Sequence, residues 1–201
     1  MALIVLLRGI NAGGHRAFRP TLLAREFGAY DVVNIGAAGT FVLRNPGPHA
    51  NLRAELRSRL PVTTRFVLCD GKELLRLDAK GAFERPPSES GIVRFVSFLE
   101  RGGRRRPSLP LTIPQGQNWF VRVTSLTNRL AVGEYRRHMK TISYLGQLDT
   151  LFGTLVTTRS WGTVNAILQI LKDESRTKHE GRTPRPRRVS TKSLTNADAD
   201  K

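Results

Sequence analysis

Cysteine, acidic residues, aromatic residues and long apolar runs are all scarce in this sequence, and each shortage narrows the class of protein. Cys69 is the single cysteine, so the chain cannot form an internal disulfide framework, and a reducing compartment is expected. No apolar run approaches the roughly 20 residues that a membrane-spanning helix needs. The apolar opening at residues 2–7 lacks a basic leader and a small-residue cleavage site. We therefore expect no signal peptide, no membrane contact and a cytoplasmic location.

Common catalytic and metal-binding motifs are also missing. The sequence contains no phosphate-binding Gly-x-x-x-x-Gly-Lys-Ser/Thr loop, no Gly-x-Ser-x-Gly elbow, no His-Glu-x-x-His and no Cys-x-x-Cys. Its four histidines are scattered, so no metal site and no cofactor are expected. No carboxylate pair for acid–base chemistry stands out, and we interpret Cys69 as a buried structural residue. These shortages favour a binding protein over an enzyme.

Positive charge is the most prominent property of the chain. Lys and Arg number 33 against 16 acidic residues, a net charge of +17. Residues 175–201 hold eight basic and three acidic residues, or +5, which leaves +12 for the rest of the chain. Such a field attracts polyanions and speeds their encounter with the surface. The alternative is that the charge serves only to keep the protein soluble.

The pattern of apolar residues predicts an α+β fold built from two ferredoxin-like halves. The first half gives the order β-α-β-β-α-β, with strands at residues 2–7, 32–35, 40–43 and 64–69 and helices starting at Pro20 and near Leu52. The second half shows strands at 92–98, 119–123 and 130–132, a short helix across 144–152 and a final helix capped by Ser160. We expect antiparallel sheets with helices on one face, and we also consider the second half a degraded copy of the first.

The chain is predicted to divide into three parts. Residues 1–85 form the first ferredoxin-like unit, 86–173 form the second, and 174–201 form a disordered basic tail. The tail prediction rests on the loss of apolar periodicity after Ser175 and on the Pro- and Arg-rich run at 183–188. A charge run of this kind is typical of a solvated tail and often serves as a non-specific nucleic-acid tether.

Two glycine-rich turns are predicted to meet at one edge of the first sheet. In a split β-α-β unit, the end of the first strand and the hairpin between the next two strands lie at the same edge. Glycines there let a backbone approach a ligand closely, and nearby arginines supply donors for a phosphate or carboxylate. The alternative is that the glycines only form tight turns and the arginines are solvated. The candidate ligand-binding residues are Arg8, Gly9, Asn11, Gly13, Gly14, His15, Arg16, Arg19, Gly36, Gly39 and Arg159.

Two further basic clusters suggest contact with nucleic acid. They comprise Arg104, Arg105 and Arg106, and then Arg136, Arg137 and Lys140. Arginine beside aromatic residues can hold single strands by charge and stacking. However, the strands lack an RRM-like Lys/Arg-Gly-Phe-Gly/Ala-Phe-Val run, and we interpret Trp119, Phe120 and Trp161 as core residues.

The first strand and its loop read Leu-Leu-Arg-Gly-Ile-Asn-Ala-Gly-Gly over residues 6–14. This motif resembles the opening of a widespread bacterial domain-of-unknown-function family, and the similarity returns at 34–43, 148–154 and 158–164. The match spans residues 3 to about 172, is poor over 72–118 and excludes the tail. The resemblance implies two ferredoxin-like halves and no established activity. Its recurring motifs fall on Arg8, Gly9, Asn11, Gly13, Gly14, Arg159 and Trp161.

The chain departs from the family pattern at three polar positions. Thr40 follows Gly39 where the family usually has Asn, while Ser160 and Gly162 replace side-chain amides. If those amides bind a ligand in relatives, this protein binds it differently or not at all.

Three functions remain open from the sequence. The first is a non-enzymatic binding protein for phosphate-rich partners, with nucleic acid favoured, using residues 8–19, Arg104 to Arg106 and the tail. The second is an enzyme or sensor for a small anionic metabolite, with Arg8, Asn11 and Arg159 orienting the ligand and His15 as the group that titrates near neutral pH. The third is a protein-interaction module with an exposed sheet edge.

Overall fold

A computed structural model of the protein describes residues 2–9, 19–82 and 90–180, with side chains described as far as Arg176. The predictions made for Asn11, Gly13, Gly14, His15 and Arg16 lie outside the described residues. So do those made for residues 181–201 of the tail.

The first half forms a four-stranded antiparallel sheet in the order β2-β3-β1-β4. Strand β3 lies antiparallel between β1 and β2, so these two run in the same direction, as the split β-α-β prediction requires. Pro20 occupies the first turn of α1, where its missing N–H leaves no helical bond unmade. The elements are β1 (Leu3–Arg8), α1 (Pro20–Glu26), β2 (Val32–Asn34), β3 (Thr40–Leu43), α2 (His49–Arg59), β4 (Arg65–Asp70) and α3 (Gly71–Asp78).

The second half repeats this strand order in a five-stranded antiparallel sheet, β6-β7-β8-β5-β9. Within it, β7-β8-β5-β9 corresponds to β2-β3-β1-β4 of the first half, and β6 is an added edge strand. The segment between β5 and β7 carries β6 where the first half has α1. The elements are β5 (Ile92–Leu99), β6 (Leu111–Ile113), β7 (Val121–Leu126), β8 (Leu130–Arg136), α4 (Thr141–Gly146), α5 (Leu148–Phe152), β9 (Val156–Ser160) and α6 (Trp161–Glu180). The predicted α+β class is confirmed.

Helices cover both faces of the first sheet rather than the one face expected. The reason lies in β1, whose residues Leu3 to Leu7 are all buried and alternate between two separate apolar clusters. One face packs against α1 and α2. The other packs against α3, α6 and the second sheet, and this shared cluster joins the two halves. The outer face of the second sheet is covered by α4 and α5.

Two elements extend beyond their predicted limits, and one helix was not predicted at all. That helix is α3, which follows β4 directly. Strand β8 continues through Gly133 to Arg136 instead of ending at Val132. Helix α6 continues to Glu180, so residues 174–180, assigned above to the disordered tail, are helical. In that extension Ser175 Oγ donates to the Leu171 carbonyl at 2.9 Å, which lets a polar residue remain in the helix.

Arginine side chains join the two halves at several points. The guanidinium groups reach across the boundary to a carboxylate or hydroxyl of the other half. The pairs are Arg8 with Asp149, Arg53 with Glu100, Arg129 with Glu73 and Arg159 with Thr40. Part of the arginine excess is therefore used within the fold.

Within the described parts of the chain, no helix combines the length and the apolar character needed to cross a membrane.

Candidate functional site

The end of β1 and the β2–β3 hairpin lie side by side, as the sequence predicts. Leu7 N–H donates to the Gly39 carbonyl at 2.7 Å, which holds the hairpin against the strand end. Gly9, Gly36 and Gly39 have φ values of +79°, +67° and +66°, a region that residues with a side chain rarely adopt. Gly9 and Ala38 also line a common cleft. The glycines thus form the turns, and the turns border a cavity.

The cleft has a volume of about 400 Å³ and lies between the two halves. The first half contributes the end of β1 and the hairpin, and the second contributes α4 and β9. Ile142 of α4 borders the cleft and remains 79% exposed, so it lies at the opening. The lining residues are Leu7, Arg8, Gly9, Ala38, Ile142, Leu145, Gly146, Val156, Thr157, Thr158 and Arg159. The wall is therefore part polar and part apolar.

Arg159 is the most buried charged residue of this cleft, with only 8% of its surface exposed. Its guanidinium donates to the hydroxyls of Thr40 (2.7 Å) and Thr157 (2.9 Å). It also donates to backbone carbonyls on both sides of the cleft. These belong to Thr158 (2.9 Å), Leu7 (2.8 Å), Ala38 (3.0 Å) and Gly39 (3.3 Å). One side chain thus fixes β9, the end of β1 and the hairpin together.

The oxygens around Arg159 are all neutral, and no ion pair within the described residues includes it. Burial lowers the pKa of its guanidinium to about 10, because the charged form loses hydration. At neutral pH the side chain stays protonated. The cleft therefore carries a positive charge that no neighbouring carboxylate balances.

Arg8 is engaged inside the protein instead of being free for a ligand. Its Nη1 donates to Asp149 Oδ1 (2.6 Å), Asp149 Oδ2 (2.5 Å) and the Val156 carbonyl (2.7 Å). Asp149 Oδ1 also accepts the Val156 N–H at 2.8 Å. Arg8 thus holds the two halves together at the edge of the cleft that it lines, and its predicted contact with a ligand stays a prediction. Sequence reasoning missed Asp149, although it lies in one of the segments that carry the family resemblance.

These contacts also close the free edge of β9, the outermost strand of the second sheet. The Leu155 carbonyl accepts a hydrogen bond from the Glu100 N–H, so the backbone groups of Leu155 point toward β5. Because backbone groups alternate in direction along an edge strand, those of Val156 and Thr158 point away from β5. Side chains of Asp149, Arg8 and Arg159 bond the Val156 N–H and the two carbonyls. Side chains thus bond three of the four outward-facing backbone groups of Val156 and Thr158, which makes this part of the edge a poor template for strand addition by a partner.

Separating the two roles of Asp149 gives a test of the Arg8 contact. Asp149→Asn retains an oxygen for the Val156 N–H but removes the charge, and Arg8→Met removes the guanidinium. Because both side chains are about one-third exposed, at 35% and 30%, the pair is partly screened by solvent. We expect a coupling of about 1 kcal/mol in a double-mutant cycle measured by urea unfolding. Strictly additive effects would contradict the contact.

The first basic cluster is fully available to solvent. Arg104, Arg105 and Arg106 are exposed, and the Arg104 N–H donates to the Phe152 carbonyl at 3.0 Å, which places the loop over the end of α5. Arg105 makes one long contact to the Thr150 carbonyl at 3.4 Å. None of the ion pairs among the described residues uses these three side chains.

The second basic cluster divides into an engaged and a free part. Arg136 belongs to β8, is half-buried, and holds its guanidinium 4.6 Å from the Trp119 ring, which Arg122 covers at 4.3 Å. Arg136 therefore makes a packing contact within the fold, and its predicted nucleic-acid contact stays a prediction. Arg137 and Lys140 are exposed and belong to none of the ion pairs found in the described part of the chain. Arg19, predicted as a ligand contact, is also exposed and precedes α1.

The free cations lie at opposite ends of β5. Arg136, which precedes Arg137, pairs with Ile92 at the start of that strand. The loop with Arg104 follows Leu99 at its end. Eight residues of strand, at a rise of about 3.3 Å each, put the two ends about 23 Å apart. The exposed charge is therefore distributed over a length instead of being gathered at one point.

The aromatic residues are mainly structural, as the sequence suggests. Trp119 is 7% exposed. Phe120 stacks on Tyr144 with ring centres 5.3 Å apart and on His138 at 4.8 Å. The Arg94 guanidinium lies over the Trp161 ring, 5.0 Å from the ring centre. These contacts stabilise the second half and leave only His138 of the group fully exposed.

The described residues contain one thiol and no cluster of metal-ligating side chains. Cys69 is buried, and burial raises the pKa of its thiol well above the usual value, so little reactive thiolate forms at neutral pH. Within residues 2–9, 19–82 and 90–176, no three His, Cys, Asp or Glu side chains gather in a way that would hold a metal ion.

Together the fold and the site define an α+β protein with an arginine-lined cleft between two similar halves and a basic outer surface. Comparison with protein families, with curated proteins and with solved structures finds no match for this chain. The family resemblance stays a prediction, and the function is argued from the geometry.

Proposed function

We propose that the protein is a non-enzymatic binding protein for nucleic acid, and that the exposed basic surface of the second half makes the contact. The observation that carries this proposal is a set of exposed cations that form no ion pair with any acid of the described residues, namely Arg104, Arg105, Arg106, Arg137 and Lys140. Arginine suits this role because its planar fork matches a phosphate. Backbone phosphates provide most of the sequence-independent affinity for nucleic acid.

The local charge balance supports this assignment. Residues 101–148 contain nine Lys and Arg and a single acid, Glu134, a net charge of +8. That acid is paired with Arg122 at 2.7 Å, so it does not neutralise the exposed cluster. A polyanion approaching this half therefore meets an almost unopposed positive field.

The distribution of the cations favours a polymer over a compact ligand. The two free clusters follow opposite ends of β5, a strand about 23 Å long, and that length corresponds to about seven base pairs at 3.4 Å along one strand. Arg8 and Arg159 use their donors within the protein, as described above. A polymer that follows the surface can reach both clusters at once, whereas a single small molecule cannot.

The test compares two triple substitutions of the full chain that remove the same charge. One variant is Arg104→Ala with Arg105→Ala and Arg106→Ala. The matched control is Arg25→Ala with Arg57→Ala and Arg65→Ala, three exposed arginines of the first half that enter no ion pair among the described residues. Both variants lower the net charge by three. A difference between their affinities for nucleic acid therefore reports where the charge lies and not how much charge there is.

We measure binding of labelled single- and double-stranded 20-mers by fluorescence anisotropy between about 50 and about 200 mM salt. Loss of three phosphate contacts should reduce the steepness of log K against log salt by about 2.7 for the double strand and about 2.1 for the single strand, with at least a tenfold loss of affinity at the lower salt. The control should lose less than half as much. Equal losses in both variants, or no binding by the unmodified protein at low salt, would show that the proposal is wrong.

A further inference from the structure

We propose that the cleft between the halves is a second, separate binding site, and that it takes a small phosphorylated ligand. The phosphate would lie beside Thr157 and the Arg159 guanidinium, and the apolar part of the ligand would rest against Ile142 and Leu145. This site does not depend on the nucleic-acid surface, because it uses none of the residues of that surface.

The charge of the cleft is the first argument. Only 8% of the Arg159 surface is exposed, and its hydrogen-bond partners are neutral hydroxyls and carbonyls. A buried charge without an opposite charge is costly, and such charges are normally paired. The acid closest in sequence to the cleft residues, Asp149, is already neutralised by Arg8. A bound anion would supply the missing opposite charge.

The hydrogen-bond donors are the second argument. The Thr157 hydroxyl accepts from Arg159 Nη1 at 2.9 Å, so its own proton is left to donate elsewhere. Thr157 is 3% exposed and lines the cleft. A hydroxyl that accepts from a guanidinium is polarised and becomes a stronger donor. The positive charge of Arg159 thus reaches the cleft through Thr157, even though the arginine donors are themselves occupied.

The size and lining of the cleft are the third argument. Its volume of about 400 Å³ falls within the range of pockets for small ligands. Ile142, Leu145 and Val156 contribute apolar groups to its lining, and Thr157 and Arg159 contribute polar groups. A ligand with one phosphate and one apolar group matches this mixed lining better than inorganic phosphate alone.

The first experiment titrates the full-length protein by calorimetry with adenosine 5′-monophosphate, inorganic phosphate and uncharged adenosine. The monophosphate is expected to bind at least tenfold more tightly than adenosine, because only it carries the anion. The Arg104, Arg105 and Arg106 triple variant should retain this affinity, which separates the cleft from the outer surface. Equal binding of the monophosphate and adenosine, or no binding of any probe, would overturn the proposal.

The second experiment changes the charge at the opening of the cleft. Ile142 is 79% exposed, so Ile142→Glu should leave the fold intact and should weaken the monophosphate about fivefold by repulsion. Ile142→Lys loses the same apolar contact but adds a favourable charge, so it should bind the monophosphate more tightly than Ile142→Glu does. Met139→Glu is the matched control, since Met139 is 91% exposed but does not line the cleft. The same loss in both glutamate variants would overturn the proposal.

The third experiment removes the donor. Thr157→Val eliminates the hydroxyl with little change in shape and should weaken the monophosphate about tenfold or more, whereas Thr157→Ser should restore binding. Melting temperatures are compared in parallel, so that a general loss of stability is recognised. A folded Thr157→Val variant with unchanged affinity would exclude this hydroxyl and overturn the proposed phosphate position.

Discussion

Arg159→Met should destabilise the protein by about 3 kcal/mol, because three backbone carbonyls lose the guanidinium as donor and each such bond contributes about 1 kcal/mol net. These carbonyls belong to Leu7, Ala38 and Thr158, and they lie on both sides of the cleft. The Gly39 carbonyl keeps the Leu7 N–H as its donor. Methionine keeps much of the length of the side chain but offers no N–H group. The loss should therefore come from unpaired acceptors and not from an empty cavity.

Urea unfolding monitored by circular dichroism measures this loss. Arg159→Lys should fall between the wild type and the methionine variant, because an ammonium keeps the charge but cannot reproduce the planar fork. Arg57→Ala, at an exposed position, should change stability by no more than about 0.5 kcal/mol. A loss below 1 kcal/mol for Arg159→Met would mean that water replaces the guanidinium at these carbonyls.

Gly133→Ala is the second substitution with a large expected effect, about 3 kcal/mol of destabilisation. Gly133 lies within β8, directly opposite Phe95 of β5 and Val123 of β7. A Cβ atom there would overlap the Arg122 carbonyl oxygen and would lie 2.7 Å from Phe95 Cζ. The Phe95 ring fills the space that a side chain would need, and a central strand cannot easily shift to make room.

The control for this substitution is Gly162→Ala in the first turn of α6. A Cβ atom at Gly162 meets nothing within 4 Å. We therefore expect Gly162→Ala to stabilise the protein by about 0.5 kcal/mol, through a lower chain entropy of the unfolded state. Urea midpoints of the two variants should move in opposite directions. A neutral Gly133→Ala would show that β8 and Phe95 adjust without cost.

The first half was well predicted because its signals are local. Apolar strands, a proline at the first helical position and glycine turns specify each element within a few residues of sequence. The elements of the second half were harder to predict from the sequence. Gly133 and the charged residues after it hid the continuation of β8, because a glycine in a strand reads as an end and its compensating contact with Phe95 lies far away in sequence.

The candidate site was likewise predicted only where the signal was local or followed from the topology. The placement of Gly9 beside the hairpin followed from topology alone. The partner of Arg8 did not, since Asp149 is 141 residues away and no local pattern links them. Arginine also misled the interpretation, because composition counts charges but cannot tell a solvated guanidinium from one that joins two halves, as Arg129 and Arg159 do.

The apolar cluster shared by the two halves has a consequence for how the protein is made. Ile4 and Leu6 share this cluster with Val164 and Leu168, which the ribosome adds about 160 residues later. Arg159, which fixes the end of β1, comes equally late. At a synthesis rate of about 5 to 20 residues per second, the second face of the first sheet waits for many seconds without its cover. The nascent chain should therefore be a better client for chaperones than the finished protein, and a stall before residue 159 should leave an aggregation-prone fragment.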